Sequence, residues 1–239
     1  MRVAIDVRLV FQTPFNVGSG ALADSLAQRP TVKDIRLMPV LPGSSLKGRT
    51  RHECERIVRT LTGQPNAVCH GPKAENMCPL DPERMDKPLE ERKACPVCQV
   101  FGSPWVAGAV RFSDLHWEFC EEYAGPPGTL IRHGVSIGRR RRVAEEGRLF
   151  STETFAPVRD TTFLGRITGD FPAAKDNGDE QVGLLVAGLR AITSMGGGRS
   201  RGLGWCRVQA RALEIQDGQE IPMGDDWLKE GLARWLNLR

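Results

Sequence analysis

Four of this chain's cysteines, Cys69, Cys78, Cys95 and Cys98, fall inside one thirty-residue stretch, and this feature constrains the fold more than any other. They stand in or beside a segment, residues 64–94, that holds Pro65, Pro72, Pro79, Pro82 and Pro88 and has little apolar periodicity. A stretch of that length with no core of its own needs a staple to hold a fixed shape. Tetrahedral zinc takes four nitrogen or sulfur ligands, and the tight turn Cys95-Pro96-Val97-Cys98 lets two thiolates meet one ion. Cys69 and Cys78 complete the set, with His70 as an alternative to Cys69. Cys54, Cys120 and Cys206 stand apart, which makes the count odd. The opening Met1-Arg2-Val3-Ala4-Ile5-Asp6 carries an acid where a signal peptide would be apolar. A cytoplasmic, reducing setting is expected, and there clustered thiols point to metal rather than disulfides. A thioredoxin-like pair would open a helix after a strand, whereas this Cys-x-x-Cys follows a charged loop. A nucleobase deaminase needs His-x-Glu upstream, but His52 and Glu53 are adjacent. Structural zinc is the expectation.

The rest of the chain carries ordinary element signals. Residues 3–11 alternate as a half-buried strand. A helix capped by Ser44 or Ser45 should run to Leu61 and stop at Gly63, with Leu46, Ile57, Val58 and Leu61 inward. Strands are predicted over 110–117, 161–168 and 203–213, and a basic extended hairpin over 129–150. A second helix should span 182–194 and end at Gly196-Gly197-Gly198. Residues 225–238, with Trp227, Leu228, Leu232, Trp235 and Leu236, form an amphipathic helix that covers the domain's own core. The 239 residues, 40% hydrophobic and 26% charged, fit a soluble protein of one elaborated domain or two small ones. Several strands with two helices between them predict an α+β, ferredoxin-like fold. No apolar run approaches the roughly 18 residues of a membrane span, so no membrane partner is expected.

Net charge is only +4, from 33 Lys and Arg against 29 Asp and Glu, so distribution matters more than the sum. Pro42-Gly43-Ser44-Ser45-Leu46-Lys47-Gly48-Arg49-Thr50-Arg51 puts small residues at a helix start, where free N–H groups favour phosphate, and follows them with three cations. Gly196-Gly197-Gly198-Arg199-Ser200-Arg201-Gly202-Leu203-Gly204 is a second Gly-rich basic loop. Arg139-Arg140-Arg141-Arg142, with Arg132 and Arg148 nearby, is a third basic block. Together they point to single-stranded nucleic acid. One Tyr and 6% aromatics favour backbone tracking over base stacking. Gly18-Ser19-Gly20-Ala21-Leu22-Ala23 imitates a dinucleotide fingerprint, but Pro14 separates it from the strand and no acid lies about 20 residues on.

In chain order, Val17-Gly18-Ser19-Gly20, the Pro42 to Gly48 stretch, Cys95-Pro-Val-Cys-Gln-Val-Phe-Gly102 and the Gly196 to Gly204 loop resemble the repeat-associated mysterious protein (RAMP) superfamily. The likeness covers roughly residues 3–214 and is closest to the backbone subunit of type III CRISPR effector complexes. It implies a single domain over 1–239 with a ferredoxin-like (RRM-like) palm. A zinc insertion over 64–101, a long hairpin thumb at about 125–160 and a C-terminal helix over 225–239 would complete it. The implied partners are guide RNA, complementary target RNA, other RAMP subunits, a large signature subunit, and stacked copies or paralogues. Phosphate contacts would come from Gly18, Ser19 and Gly20, and from Gly43, Ser44, Ser45, Lys47, Arg49 and Arg51. Arg139, Arg140, Arg141 and Arg142 would add to them, as would Gly197, Gly198, Arg199 and Arg201. Members that cut target RNA carry an aspartate where Gln28 stands here, and neutral glutamine is neither a general base nor a good Mg²⁺ ligand. The first expectation is therefore an RNA-holding subunit. The alternative is a Mg²⁺-dependent endoribonuclease that works through Asp24 or Asp34.

Overall fold

The computed structural model describes residues 1–18, 20, 27–71, 77–78, 94–118, 128–157, 161–173 and 177–236, the last three by backbone alone. Strand β1 (Arg2–Phe11) alternates as its sequence predicts, with Val3, Ile5, Val7, Leu9 and Phe11 buried on one face. It lies at the centre of a seven-stranded sheet, between β7 (Thr162–Asp170) and β8 (Cys206–Gln216), antiparallel to both. Beyond β7 come β3 (Val110–Phe112) and β4 (Leu115–Trp117), then the two-residue β2 (Val40–Leu41). β9 (Gln219–Pro222) pairs with β8 at the opposite edge.

Helix α1 (Gly43–Thr62) follows β2, the short α2 (Pro96–Phe101) follows the cysteine segment, and α3 (Gly178–Arg190) precedes β8. Reduced to its principal elements the order is strand, α1, strand, strand, α3, strand, with the third strand beside the first. That is the ferredoxin-like arrangement. The antiparallel sheet also disposes of the dinucleotide reading, which needs parallel strands.

Several boundaries differ from the sequence expectation. α1 starts at Gly43 behind Pro42, with no side-chain cap from Ser44 or Ser45. Its cap comes from elsewhere: Gly43 N–H donates to Asp114 Oδ1 at 2.8 Å. Asp114 is free to do this because the strand predicted over 110–117 breaks at Ser113-Asp114. α3 ends at Arg190, well before the glycines, because Ser194 already pairs with Trp205 and Met195 N–H donates to Gly204. β8 accordingly begins at Cys206, after a single turn of 3₁₀ helix over Arg199–Arg201.

The core lies between the sheet and the helices. Leu46, Cys54 and Val58 of α1 and Val182, Leu185 and Leu189 of α3 are buried against β1, β7 and β8. Ile57 and Leu61 pack at its margin. Phe11 and Phe15 stack with ring centroids 3.8 Å apart, and Phe163 meets both edge-on. Helix α4 (Asp225–Leu236) docks on α3, with Leu228 buried and Trp227 and Leu232 packed against the core. Across the outer face of the sheet, Arg166 pairs with Asp6 and Glu220, all of them over 40% exposed. Such pairs contribute about 0–1 kcal/mol each, so the apolar layer decides the fold.

β5 (Thr129–Ile137) and β6 (Ala144–Phe155) form a separate two-stranded hairpin. Its root is part of the core: Phe155 is buried and exchanges backbone hydrogen bonds with Phe15. Its outer half is exposed on both strands, with Ile137, Val143 and Leu149 open to solvent.

Candidate nucleic-acid interface

Two of the basic motifs, about 150 residues apart in sequence, meet in space. Ser44, Ser45, Gly48, Arg49 and His52 of α1 line one wall of a cleft of about 410 Å³, and Ser194, Met195, Gly196 and Arg199 line the other. Ser44, Gly48 and His52 are spaced four apart, which places them on one stripe of the helix. Gly196 takes a positive φ of 85°, and a side chain there would collide with the Asn16 carbonyl. This contact lets the loop close on the turn that follows β1, where Gly197 N–H donates to Asn16 O at 2.8 Å.

The cleft's charge is nearly one-sided. Glu53, buried beneath it, pairs with Arg49 at 2.7 Å and with Arg56 at 2.6 Å. Burial holds the Arg49 guanidinium below the usual arginine value; Glu53 opposes that, while the like charges of Arg199 and Arg56 add to it. Arg49 and Arg56 share the Glu53 carboxylate and Arg199 adds a like charge from the opposite wall, so an anion bound in the cleft would relieve the repulsion.

Past the glycine loop lies a second cavity, of about 320 Å³, lined by Asn16, Arg29, Arg132, His133, Phe150 and Arg201 among others. Phe150 carries the Arg29 guanidinium 4.9 Å from its ring centroid and that of Arg201 at 5.3 Å. Its ring lies across Gly134, the residue opposite it on β5, where a side chain would overlap the ring. Asn16 is the hub of this region, its Nδ2 donating to Glu153 O at 2.7 Å and to Thr31 Oγ1 at 3.0 Å. The buried Glu153 in turn accepts from Thr31 N–H at 2.9 Å and pairs with Lys33. The sequence reading missed Asn16, Arg29 and Phe150 as site residues. The only sequence signal for them is a lone asparagine before a glycine turn and a lone aromatic on a basic arm.

Not every predicted contact is in place. Gly43 is buried and its N–H is taken by Asp114, while the amides of Ser45 and Leu46 both donate to Pro42 O. Three of the amides at the helix start are therefore already engaged, which shifts any contact with an anion here toward the side chains. Lys47 lies on the Arg51–Glu55 row and not among the cleft-lining residues. Arg51 points away from the cleft, toward Gly102 O and the sulfurs of Cys69 and Cys98. Arg139, Arg140 and Arg141 sit at the hairpin tip around a separate depression of about 540 Å³, and Arg142 closes that turn with φ 55°. Gly18 bridges to Thr31, and Gly20 is exposed with φ 70°.

Of the acids expected to serve catalysis, Asp34 braces its own turn: Oδ1 accepts from Arg36 N–H at 2.8 Å and Met38 N–H at 2.9 Å. Gln28 lies beside the hairpin, its N–H donating to Ser151 Oγ at 2.9 Å. Ser19 and Asp24 lie outside the described residues.

The cysteine expectation is met in geometry. Cys69, Cys78, Cys95 and Cys98 bring their sulfurs within 4.8 Å of one another, and Cys69 and Cys98 approach to 3.3 Å. A tetrahedral Zn–S distance of about 2.3 Å places sulfurs about 3.8 Å apart, so these four fit a divalent metal ion. His70 is exposed and outside the group, which leaves Cys69 as the fourth candidate ligand. Hydrogen bonds with Cys78 and Cys98 hold the Cys95 thiol well below the ordinary range, while bonding to Cys78 and Cys95 pushes Cys98 up. Crowded thiols of this kind exchange their protons readily for a cation. Cys95 does open a helix, α2, as a thioredoxin-like pair would, but the convergence of four sulfurs, not two, favours metal over a redox pair.

No helix is long and apolar enough to cross a membrane among the described residues. No curated protein matches the chain. The model of the RAMP superfamily matches residues 8–207, from within β1 to the start of β8. Members of that superfamily work with RNA in multi-subunit CRISPR complexes. The match spans both walls of the cleft, the cysteine centre and the hairpin, and on this ground the chain belongs to the RAMP superfamily.

Proposed function

We propose that this protein is a guide-RNA-holding backbone subunit of a type III CRISPR effector complex, working beside target RNA, other RAMP subunits and a large signature subunit in the cytoplasm. The observation that carries the reading is the cleft where Arg49 of α1 faces Arg199 of the glycine loop across about 410 Å³. Ser44, Ser45, Arg49 and Arg199 would hold phosphates, and Arg29, Arg132 and Arg201 would continue the track toward the hairpin root. The β5–β6 hairpin serves as the thumb. A core-anchored root and an exposed tip of arginines and aliphatic side chains suit an arm that presses between guide and target. The cysteine centre holds structural zinc.

Cleavage of target RNA forms no part of the proposal, because Gln28 stands at the family's catalytic position and Asp34 is engaged in its own turn. Co-expression with a CRISPR array and sequencing of the retained RNA tests the reading. Spacer-derived RNA of uniform length is the expected result, with binding that weakens steeply as salt rises. Well-folded protein purified with its partner subunits and free of RNA overturns it.

A further inference from the structure

The guanidinium of Arg51, expected on a phosphate, is directed into the cysteine centre. Nη2 lies 3.2 Å from Cys98 Sγ and 3.9 Å from Cys69 Sγ. Nη1 donates to Gly102 O at 2.7 Å, and Nε donates to Glu55 Oε1 at 3.1 Å. The side chain is only 19% exposed. Two turns further along α1, Arg59 donates to the Cys69 carbonyl at 3.3 Å. A single helix therefore carries cleft residues on one stripe and grips the cysteine segment with another.

We propose that Arg51 is a positioning residue of the metal centre, one that acts on the ion through the sulfur of Cys98 and ties α1 to it. Four thiolates around a divalent ion leave an excess of negative charge. A half-buried guanidinium with a donor aimed at one sulfur offsets that charge, and its second donor fixes the carbonyl of Gly102, the residue that ends α2. Outer partners of this kind orient the ligands and strengthen binding. Lysine would supply the charge without the planar fork that reaches sulfur and carbonyl together. The inference rests on the reading of the four cysteines as a zinc centre.

The test measures zinc content of the full chain and its loss to a chromogenic chelator in wild type, Arg51→Met and Arg51→Lys. Zinc affinity should fall about 10–100-fold in Arg51→Met, and by less in Arg51→Lys. In cobalt-substituted protein the sulfur-to-cobalt charge-transfer band should move to longer wavelength in Arg51→Met, since a sulfur without its donor holds its electrons less tightly. The salt dependence of single-stranded RNA binding should stay unchanged. Wild type that binds no stoichiometric zinc overturns the metal reading itself. Fully loaded wild type with unaltered affinity and an unmoved band in the variants overturns only the role of Arg51. A shallower salt dependence in those variants would return Arg51 to the RNA. Should Arg51→Met fail to fold, Arg51→Lys decides on the same measurements.

Discussion

Arg49 and Arg51 are two residues apart on α1 and do opposite things. Two helical steps are about 200° of rotation, so one guanidinium lines the cleft while the other meets the sulfurs of Cys98 and Cys69. On the cleft side, positive charge collects with Glu53 as its partner beneath, an arrangement that an anion from outside would complete. On the cysteine side the same residue type is consumed internally, by sulfur, carbonyl and Glu55. An arginine count along a helix therefore overstates its affinity for RNA, and the useful quantity is which stripe each arginine occupies.

The largest way to break this comparison is to remove the metal site. Cys98→Ser should abolish stoichiometric zinc, measured by elemental analysis, and open the chain around Cys69 and Cys78 to limited proteolysis. Cys69, Cys78 and Cys98 form a buried cluster separate from the main core, so the sheet and α3 should remain protected. RNA affinity should change little. Collapse of RNA binding together with zinc loss would show that the two faces of α1 are one cooperative unit.

Next in size is Glu53→Gln, which leaves Arg49 and Arg56 without their shared carboxylate. Removing one partner of a buried pair costs about 3–5 kcal/mol, and the lower end applies because Arg56 is 62% exposed. Chemical denaturation should show this loss in the free protein and a smaller one in the RNA-bound protein, where phosphate replaces the carboxylate. Equal losses in both states would remove Arg49 from the RNA track.

Arg49→Ala and Arg199→Ala should each reduce the slope of log affinity against log salt by about 0.7, the value for one phosphate on a single strand. Binding titrations across a salt series measure it. Because the two guanidinium groups face the same cleft, the double variant should depart from additivity. Strict additivity would place them on different phosphates.

Much of this was legible in the sequence, for identifiable reasons. The alternation of β1, the Cys-x-x-Cys spacing and the stop of α1 at Gly63 are local signals, and the structure reproduces them. What stayed hidden depends on partners far along the chain. The cap on α1 comes from Asp114, seventy-one residues away, and it uses up an amide that local reasoning leaves free for phosphate. α3 ends early because Ser194 pairs with Trp205, not because glycines follow. Arg29 reaches the second cavity through the hairpin, its backbone bonded to Ser151 and Glu153 and its guanidinium over Phe150. Residue type and spacing pointed to both candidate sites, but the direction of each side chain was set by tertiary contacts.

The smallest expected effect is also the sharpest test of that last point. Lys47 stands between the cleft stripe and Arg51 in sequence, yet belongs by rotation to the row of Arg51 and Glu55. If charge near the motif were what mattered, Lys47→Ala would flatten the salt dependence as much as Arg49→Ala does. If the stripe decides, the slope stays at its wild-type value, zinc content is unaltered, and stability moves by no more than about 0.5 kcal/mol, as for an ordinary surface substitution. Measured side by side in one salt series, Lys47→Ala and Arg49→Ala separate proximity in sequence from position on the helix. A common slope for the two would mean that RNA wraps over the α1 shoulder toward the cysteine centre, which would make the two faces parts of a single binding surface.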